Sequence, residues 1–205
     1  MRLHVHPDNP PQRKVQQAVD LLREGGVIIY PTDTVYAIGC AISQRRAVER
    51  VCRLRGLDPA KANLSIICND LSQLSDYAAQ LDNSLFRELK RLLPGPYTVI
   101  LEGNKRLPKV FQNKKRTIGL RVPHHPVTSM LVELLGEPLL TASLKWDDSD
   151  TEYPTDIDDI VERYEREVDA IIDSGAGGST PSTVLDATGG GGIELVRQGK
   201  GEWPE

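Results

Sequence analysis

At 205 residues, 39% hydrophobic and 26% charged, the chain can bury a core without disulfide or metal support and has an ordinary globular make-up. A net charge of −4 is that of an acidic protein and argues against a general polyanion binder. No apolar run reaches membrane-spanning length, and the opening Met1-Arg2-Leu3-His4-Val5-His6 lacks the apolar core of a signal peptide, so a cytoplasmic protein without membrane contact is expected.

The charge is unevenly spread. Residues 45–121 hold 16 Lys+Arg against 7 Asp+Glu, whereas residues 122–205 hold 5 against 18. A basic middle in an acidic chain suits a localised anionic ligand such as a nucleotide or RNA, and it equally suits mutual neutralisation of the two segments across the fold. Cys40, Cys52 and Cys68 are odd in number and widely spaced, which predicts reduced, partly buried thiols. His4 with His6, and His124 with His125, lack partners at ligand spacing, so no metal site is expected.

In chain order, a short N-terminal strand precedes a helix over Gln12–Glu24, whose Val15, Ala18, Val19 and Leu22 recur at helical spacing until Gly25-Gly26 stops it. Val27–Tyr30 and Val35–Cys40 read as apolar strands around the Pro31-Thr32-Asp33-Thr34 turn, which delivers three hydrogen-bonding side chains at a strand end. Such a place suits a small-molecule site, and a plain turn would satisfy the same pattern. Ser43 is expected to cap a helix through Arg55 with Ala47, Val48, Val51 and Leu54 as its buried stripe. Arg45, Arg46 and Arg50 suit its solvated face. Arg53 and Arg55 fall at its C-terminal end, where cations also complement the helix dipole.

After a polar loop come a strand over Leu64–Cys68, a helix over Asp82–Leu93 and a strand over Tyr97–Glu102. A loop carrying Lys105, Arg106, Lys109, Lys114, Lys115 and Arg116 leads to the strand Thr117–Val122, in which Arg121 suits a carboxylate or phosphate. Pro126–Leu135 reads as a helix closed by Gly136, and Leu139–Leu144 as a strand bearing Thr141 and Ser143 ahead of Lys145. An acidic stretch from Asp147 enters a helix ending near Glu167, followed by strands at Val168–Asp173, Ser182–Asp186 and Ile193–Arg197. Gly189–Gly192 lacks the Gly-Lys-Ser/Thr of a phosphate loop and reads as a hairpin. Strands interleaved with helices predict one α/β domain over residues 1–205, a mixed and twisted sheet flanked by helices. Neither a dinucleotide fingerprint nor a nucleophile elbow is present.

Four segments, in order, carry a family resemblance: G-G-V-I-I-Y-P-T-D-T-V-Y-A-I-G-C at 25–40, P-G-P-Y-T-V-I-L at 94–101, T-I-G-L-R-V-P-H-H-P at 117–126 and P-S-T-V-L-D at 181–186. Together they resemble the threonylcarbamoyl-AMP synthase family with its YrdC-like fold, most closely its YciO branch. The resemblance implies ATP, with Mg2+ on the nucleotide, and L-threonine and bicarbonate as substrates of an adenylate-forming reaction linked to transfer-RNA modification. It implies threonine contacts at Thr34, Arg121 and Ser182, nucleotide contacts at Arg55, Thr117, Thr141, Ser143 and Arg197, and catalytic roles for Arg53, Arg55, Ser143 and Lys145. Where family members usually read K-x-R and S-x-N, this chain reads Arg53-Leu54-Arg55 and Ser143-Leu144-Lys145. Those departures imply weakened or altered specificity. The alternative function on the same fold is binding of double-stranded or ribosomal RNA by the basic segment.

Overall fold

Val15, Ala18, Val19 and Leu22 form the fully buried face of α1 (Gln12–Arg23), as their spacing requires. This structure is a computed structural model that describes residues 1–58, 64–79, 81–109, 116–145, 152–190 and 192–203. The expected positions Lys114, Lys115 and the start of the acidic stretch, Asp147 included, lie outside those residues.

The strands are β1 (Arg2–His4), β2 (Ile28–Tyr30), β3 (Ala37–Ala41), β4 (Ser65–Ile67), β5 (Tyr97–Glu102), β6 (Thr117–Arg121), β7 (Leu139–Ser143), β8 (Ala170–Asp173), β9 (Thr183–Asp186) and β10 (Glu194–Arg197). They join one mixed sheet in the order β1-β8-β2-β3-β7-β4-β6-β5-β9-β10. The remaining helices are α2 (Arg45–Leu54), α3 (Leu71–Tyr77), α4 (Asn83–Leu92), α5 (Pro126–Leu135) and α6 (Ile157–Tyr164). α1 packs on α5 and α2 on β3, over a continuous apolar core that includes Ile38, Val48, Ile118, Leu120, Val127 and Leu140. The result is a single α/β domain with a mixed sheet flanked by helices, as expected.

Local chemistry explains most element ends. Asp82 caps α4 by accepting from the backbone N–H groups of Ser84 and Leu85, and Gly136 ends α5 in the left-handed conformation at φ 80°. Ser43 does not cap α2. Gln44 holds the cap position without a side-chain bond, while the Ser43 hydroxyl donates to Glu137 Oε1 at 2.7 Å. On α2 the buried stripe runs through Cys52 and leaves Leu54 half-buried. α3, unread in the sequence, is a short helix of seven residues whose cap, Asp70, accepts from the Gln73 N–H.

Arg50 of the basic segment pairs with Asp169 of the acidic one at 2.6 Å, which neutralises part of the charge asymmetry; Arg106 pairs with Asp76 inside the basic segment at 2.8 Å, and Arg2 with both Asp158 and Asp173. All three cysteines are buried and unbridged, and burial pushes each thiol above its ordinary pKa. Because the thiolate is the reactive form, native protein at pH 8 is expected to give no rapid reaction with an aromatic disulfide reagent, and the 3 cysteines should react once guanidinium unfolds it. A thiol labelled rapidly in the native state would contradict this burial.

Candidate functional site

Strand alternation builds a cavity of mixed polar and apolar lining on one face of the sheet. Residues two apart on a strand share a face. Thr117, Gly119 and Arg121 of β6 therefore look the same way, as do Thr98 and Ile100 of β5, Thr141 and Ser143 of β7, and Ser182, Val184 and Asp186 along β9 and its entry. All ten line one cavity of about 520 Å³, joined by Ser65, Leu57, Leu64, Thr188, Val196 and Arg197. Their neighbours in sequence Leu120, Leu140 and Leu185 are buried instead, while Ile118 and Ala142 also reach the lining.

The cavity exists because one row of paired residues across the sheet is small. Gly39 pairs with Thr141, Thr141 with Ser65, and Ser65 with Gly119; the row continues through Ile100 to Asp186. A Cβ on Gly119 would collide with the Ser65 hydroxyl and touch Thr98 Cγ2 at 3.0 Å. A Cβ on Gly39 would collide with the Leu140 carbonyl oxygen and would also lie 3.1 Å from the Tyr30 hydroxyl.

Arg121 is the cavity's buried cation, 5% exposed. Its Nη2 donates to Asp33 Oδ1 at 2.9 Å and to Thr34 Oγ1 at 3.1 Å, while Asp33 Oδ2 accepts from the His124 N–H at 3.0 Å. Burial pulls the guanidinium below its ordinary pKa, and the neighbouring Asp33 carboxylate opposes that. Arg121 Nε and Thr141 Oγ1 are buried without a hydrogen-bond partner, and both residues line the cavity. They fit an oxyanion-bearing ligand, because each can donate to one. Tyr30 Oη, similarly placed beneath, is held in its neutral form because burial raises its pKa.

At the β9 end, Thr98 and Ser182 hydroxyls share a 2.8 Å hydrogen bond, and Arg197 Nη2 donates to the Ser182 carbonyl at 2.8 Å. The segment after β10 ties this end down: Gly199 N–H donates to Thr183 Oγ1, Lys200 N–H to the Pro181 carbonyl, and Lys200 Nζ to the Asp33 carbonyl at 2.6 Å.

Six of the residues expected from the sequence, Thr117, Arg121, Thr141, Ser143, Ser182 and Arg197, are thus brought together. Thr34 lies one hydrogen bond behind, against Arg121. Arg55 is the half-buried C-cap of α2, two residues before the lining residue Leu57. Arg53 is exposed on the last turn of α2, and Lys145 places its ammonium 5.5 Å from the Tyr153 ring centroid; neither is among the described lining residues. Sequence reasoning missed Ser65, Thr98, Gly119, Asp186 and Val196. The period-two patterns T-x-G-x-R at 117–121 and S-x-V-x-D at 182–186 would have pointed to Gly119 and Asp186.

Fold and site define an α/β protein whose open sheet carries a hydroxyl-rich, guanidinium-lined cavity. The chain belongs to the Sua5/YciO/YrdC family, described as telomere recombination, whose model matches residues 20–199. It is 47% identical over 201 residues to YciO of Escherichia coli strain K12, covering 97% of this chain and 95% of that one. The crystal structure of E. coli YciO superposes with a TM-score of 0.92 at 44% identity, covering 98% of this chain and 97% of that chain. More distantly, threonylcarbamoyl-AMP synthase of Pyrococcus abyssi is 31% identical over 179 residues, which is 85% of this chain and 51% of that protein. The structure of P. abyssi Sua5 complexed with L-threonine gives a TM-score of 0.87 at 28% identity, over 97% of this chain and 57% of that one.

Among the described residues no helix is long and apolar enough to cross a membrane.

Proposed function

We propose that the cavity binds ATP and an amino acid of the threonine type and forms a carbamoyl adenylate from them and bicarbonate. The observation that carries this reading is the convergence of Thr117, Arg121, Thr141, Ser143, Ser182 and Arg197, from separate strands, on one cavity with unpartnered buried donors. The family relationship supports it at the level of the synthases.

In this reaction the amine adds to bicarbonate with loss of water, a carbamate oxygen then bonds to the α-phosphorus of ATP, and the bond to pyrophosphate breaks. No covalent enzyme intermediate is needed, so positioning and charge neutralisation supply the catalysis. Arg121, fixed by Asp33, holds the amino-acid carboxylate beside Thr34 and Ser182. Thr141 and Ser143 donate to the nucleotide, and Arg197 and Arg55 balance charge developing towards the leaving group. Mg2+ would travel on the triphosphate and neutralise part of its charge.

The test is pyrophosphate release from ATP in the presence of bicarbonate, with and without L-threonine. Threonine-dependent release is expected, and Arg55→Ala is expected to lower it more than tenfold, the effect of losing one charge-assisted contact worth about 1.5–3 kcal/mol. Release unaffected by threonine would refute the amino-acid assignment; unchanged release in Arg55→Ala would remove that residue from the reaction.

A further inference from the structure

The cavity is electrically polarised, and the polarity carries an inference that rests on the nucleotide reading above. Arg121 and Arg197 sit towards Ser182 and Val184, whereas Asp186 is the carboxylate among the described lining residues. At about 3.3 Å per residue, Asp186 stands about 13 Å along β9 from Ser182, which leaves room for a nucleoside between them. One carboxylate oxygen, Oδ1, already accepts from the Thr188 N–H at 2.9 Å and the Thr188 hydroxyl at 2.7 Å. These bonds fix the side chain's rotamer. Among the described residues Oδ2 has no hydrogen-bond partner.

Beside it, β10 departs from strand alternation. Glu194 pairs with Asp186 and Leu195 with Leu185, but Val184 pairs with Arg197, so Val196 is the extra residue of a β-bulge. A regular strand would turn Val196 and Arg197 to opposite faces; here both line the cavity. Val196 is 57% exposed, an apolar surface in the cavity lining with Leu57 and Val184.

We infer that Asp186 determines nucleotide specificity by accepting, through Oδ2, a hydrogen bond from a neutral donor on the nucleoside, with Val196 packing against the nucleoside beside it. A carboxylate close to a phosphate would repel it, so the phosphates lie at the arginine end and the uncharged nucleoside at the Asp186 end. A nucleoside offers two such donors, a sugar hydroxyl or an exocyclic amino group. Both satisfy the same acceptor, and analogues lacking one or the other separate them.

The experiment is calorimetric titration of the full chain and of Asp186→Asn with ATP, 2′-deoxy-ATP, 3′-deoxy-ATP and purine riboside triphosphate, each with and without Mg2+. Asparagine retains an oxygen for Thr188, so the local turn survives; circular dichroism and the melting temperature check this. The expected result is that the unmodified protein binds ATP at least tenfold more tightly than one of the analogues, and that Asp186→Asn weakens ATP about tenfold while abolishing that preference. The analogue affected says whether sugar or base is read. Equal binding of all four nucleotides by the unmodified protein, or a preference retained in Asp186→Asn, would overturn the inference while leaving the nucleotide reading intact. An effect of Asp186→Asn seen only with Mg2+ would also overturn it, by making the carboxylate a metal ligand. Failure of the unmodified protein to bind any of the four would overturn the nucleotide reading itself.

Discussion

Asp33→Ala is expected to lower the unfolding free energy by about 3–5 kcal/mol, the cost of leaving one partner of a buried ion pair uncompensated. The side chains of Arg121 and Asp33 are 6% and 8% exposed and meet at 2.9 Å, so loss of the carboxylate leaves the guanidinium largely shielded from bulk water. The His124 N–H loses its acceptor as well. For a chain of this size each kcal/mol moves the melting temperature by about 2–4 °C, which predicts a drop of about 6–20 °C in a thermal melt. The double variant Asp33→Ala/Arg121→Met should recover much of that loss, because removing both charges together avoids the stranded cation. It should not recover threonine-dependent pyrophosphate release. Stability restored without activity would locate the function of the pair in Arg121's charge, and a melting temperature within 2 °C of the unmodified protein for Asp33→Ala alone would mean that the pair is not buried.

The strands and helices were legible where one signal dominated. α1 and α5 combine a helical apolar stripe with a clear stop at Gly25 and Gly136, and β5 is apolar between Pro96 and Gly103; the structure reproduces these segments closely. α3 was not legible because its seven residues contribute one fully buried side chain, Leu74, too little to make a period. Ser43 misled because a hydroxyl before an amphipathic helix has another use here, a bond to Glu137 contributed by a segment 94 residues away.

The same limit governs the site. Arg121 and the hydroxyls of β7 were readable as chemistry at strand ends, and the family resemblance singled them out. Asp33 was readable as a turn residue, but its role as counter-ion depends on β6 being brought beside the β2–β3 turn, a tertiary fact. Asp186 lay within a quoted motif at period-two spacing from Ser182, which puts the two on one face, and the register across β5, β9 and β10 shows that this face is the cavity's. Arg53 shows the converse: its motif position suggested chemistry, and the helix turns it to solvent.

Gly119→Val is expected to remove nucleotide binding more completely than loss of any single polar contact, because it acts on the cavity's shape. Gly119 is the midpoint of the small row, between Ser65 and Ile100, and its added Cβ already meets the Ser65 hydroxyl before the two methyl groups are placed. Overpacking of this kind costs about 1–3 kcal/mol in stability. The larger effect is steric: the methyl groups project into the floor on which the ligand would rest, and affinity for ATP should fall by at least a hundredfold in the titration described above. Ser65→Gly in the same chain relieves the first collision but leaves the methyl groups in the cavity. The double variant should therefore regain stability in a thermal melt and still bind ATP poorly. If it regains both, Gly119 is needed for packing alone and the ligand does not lie over β6. If Gly119→Val binds ATP normally while folded, the nucleotide site is elsewhere on the molecule.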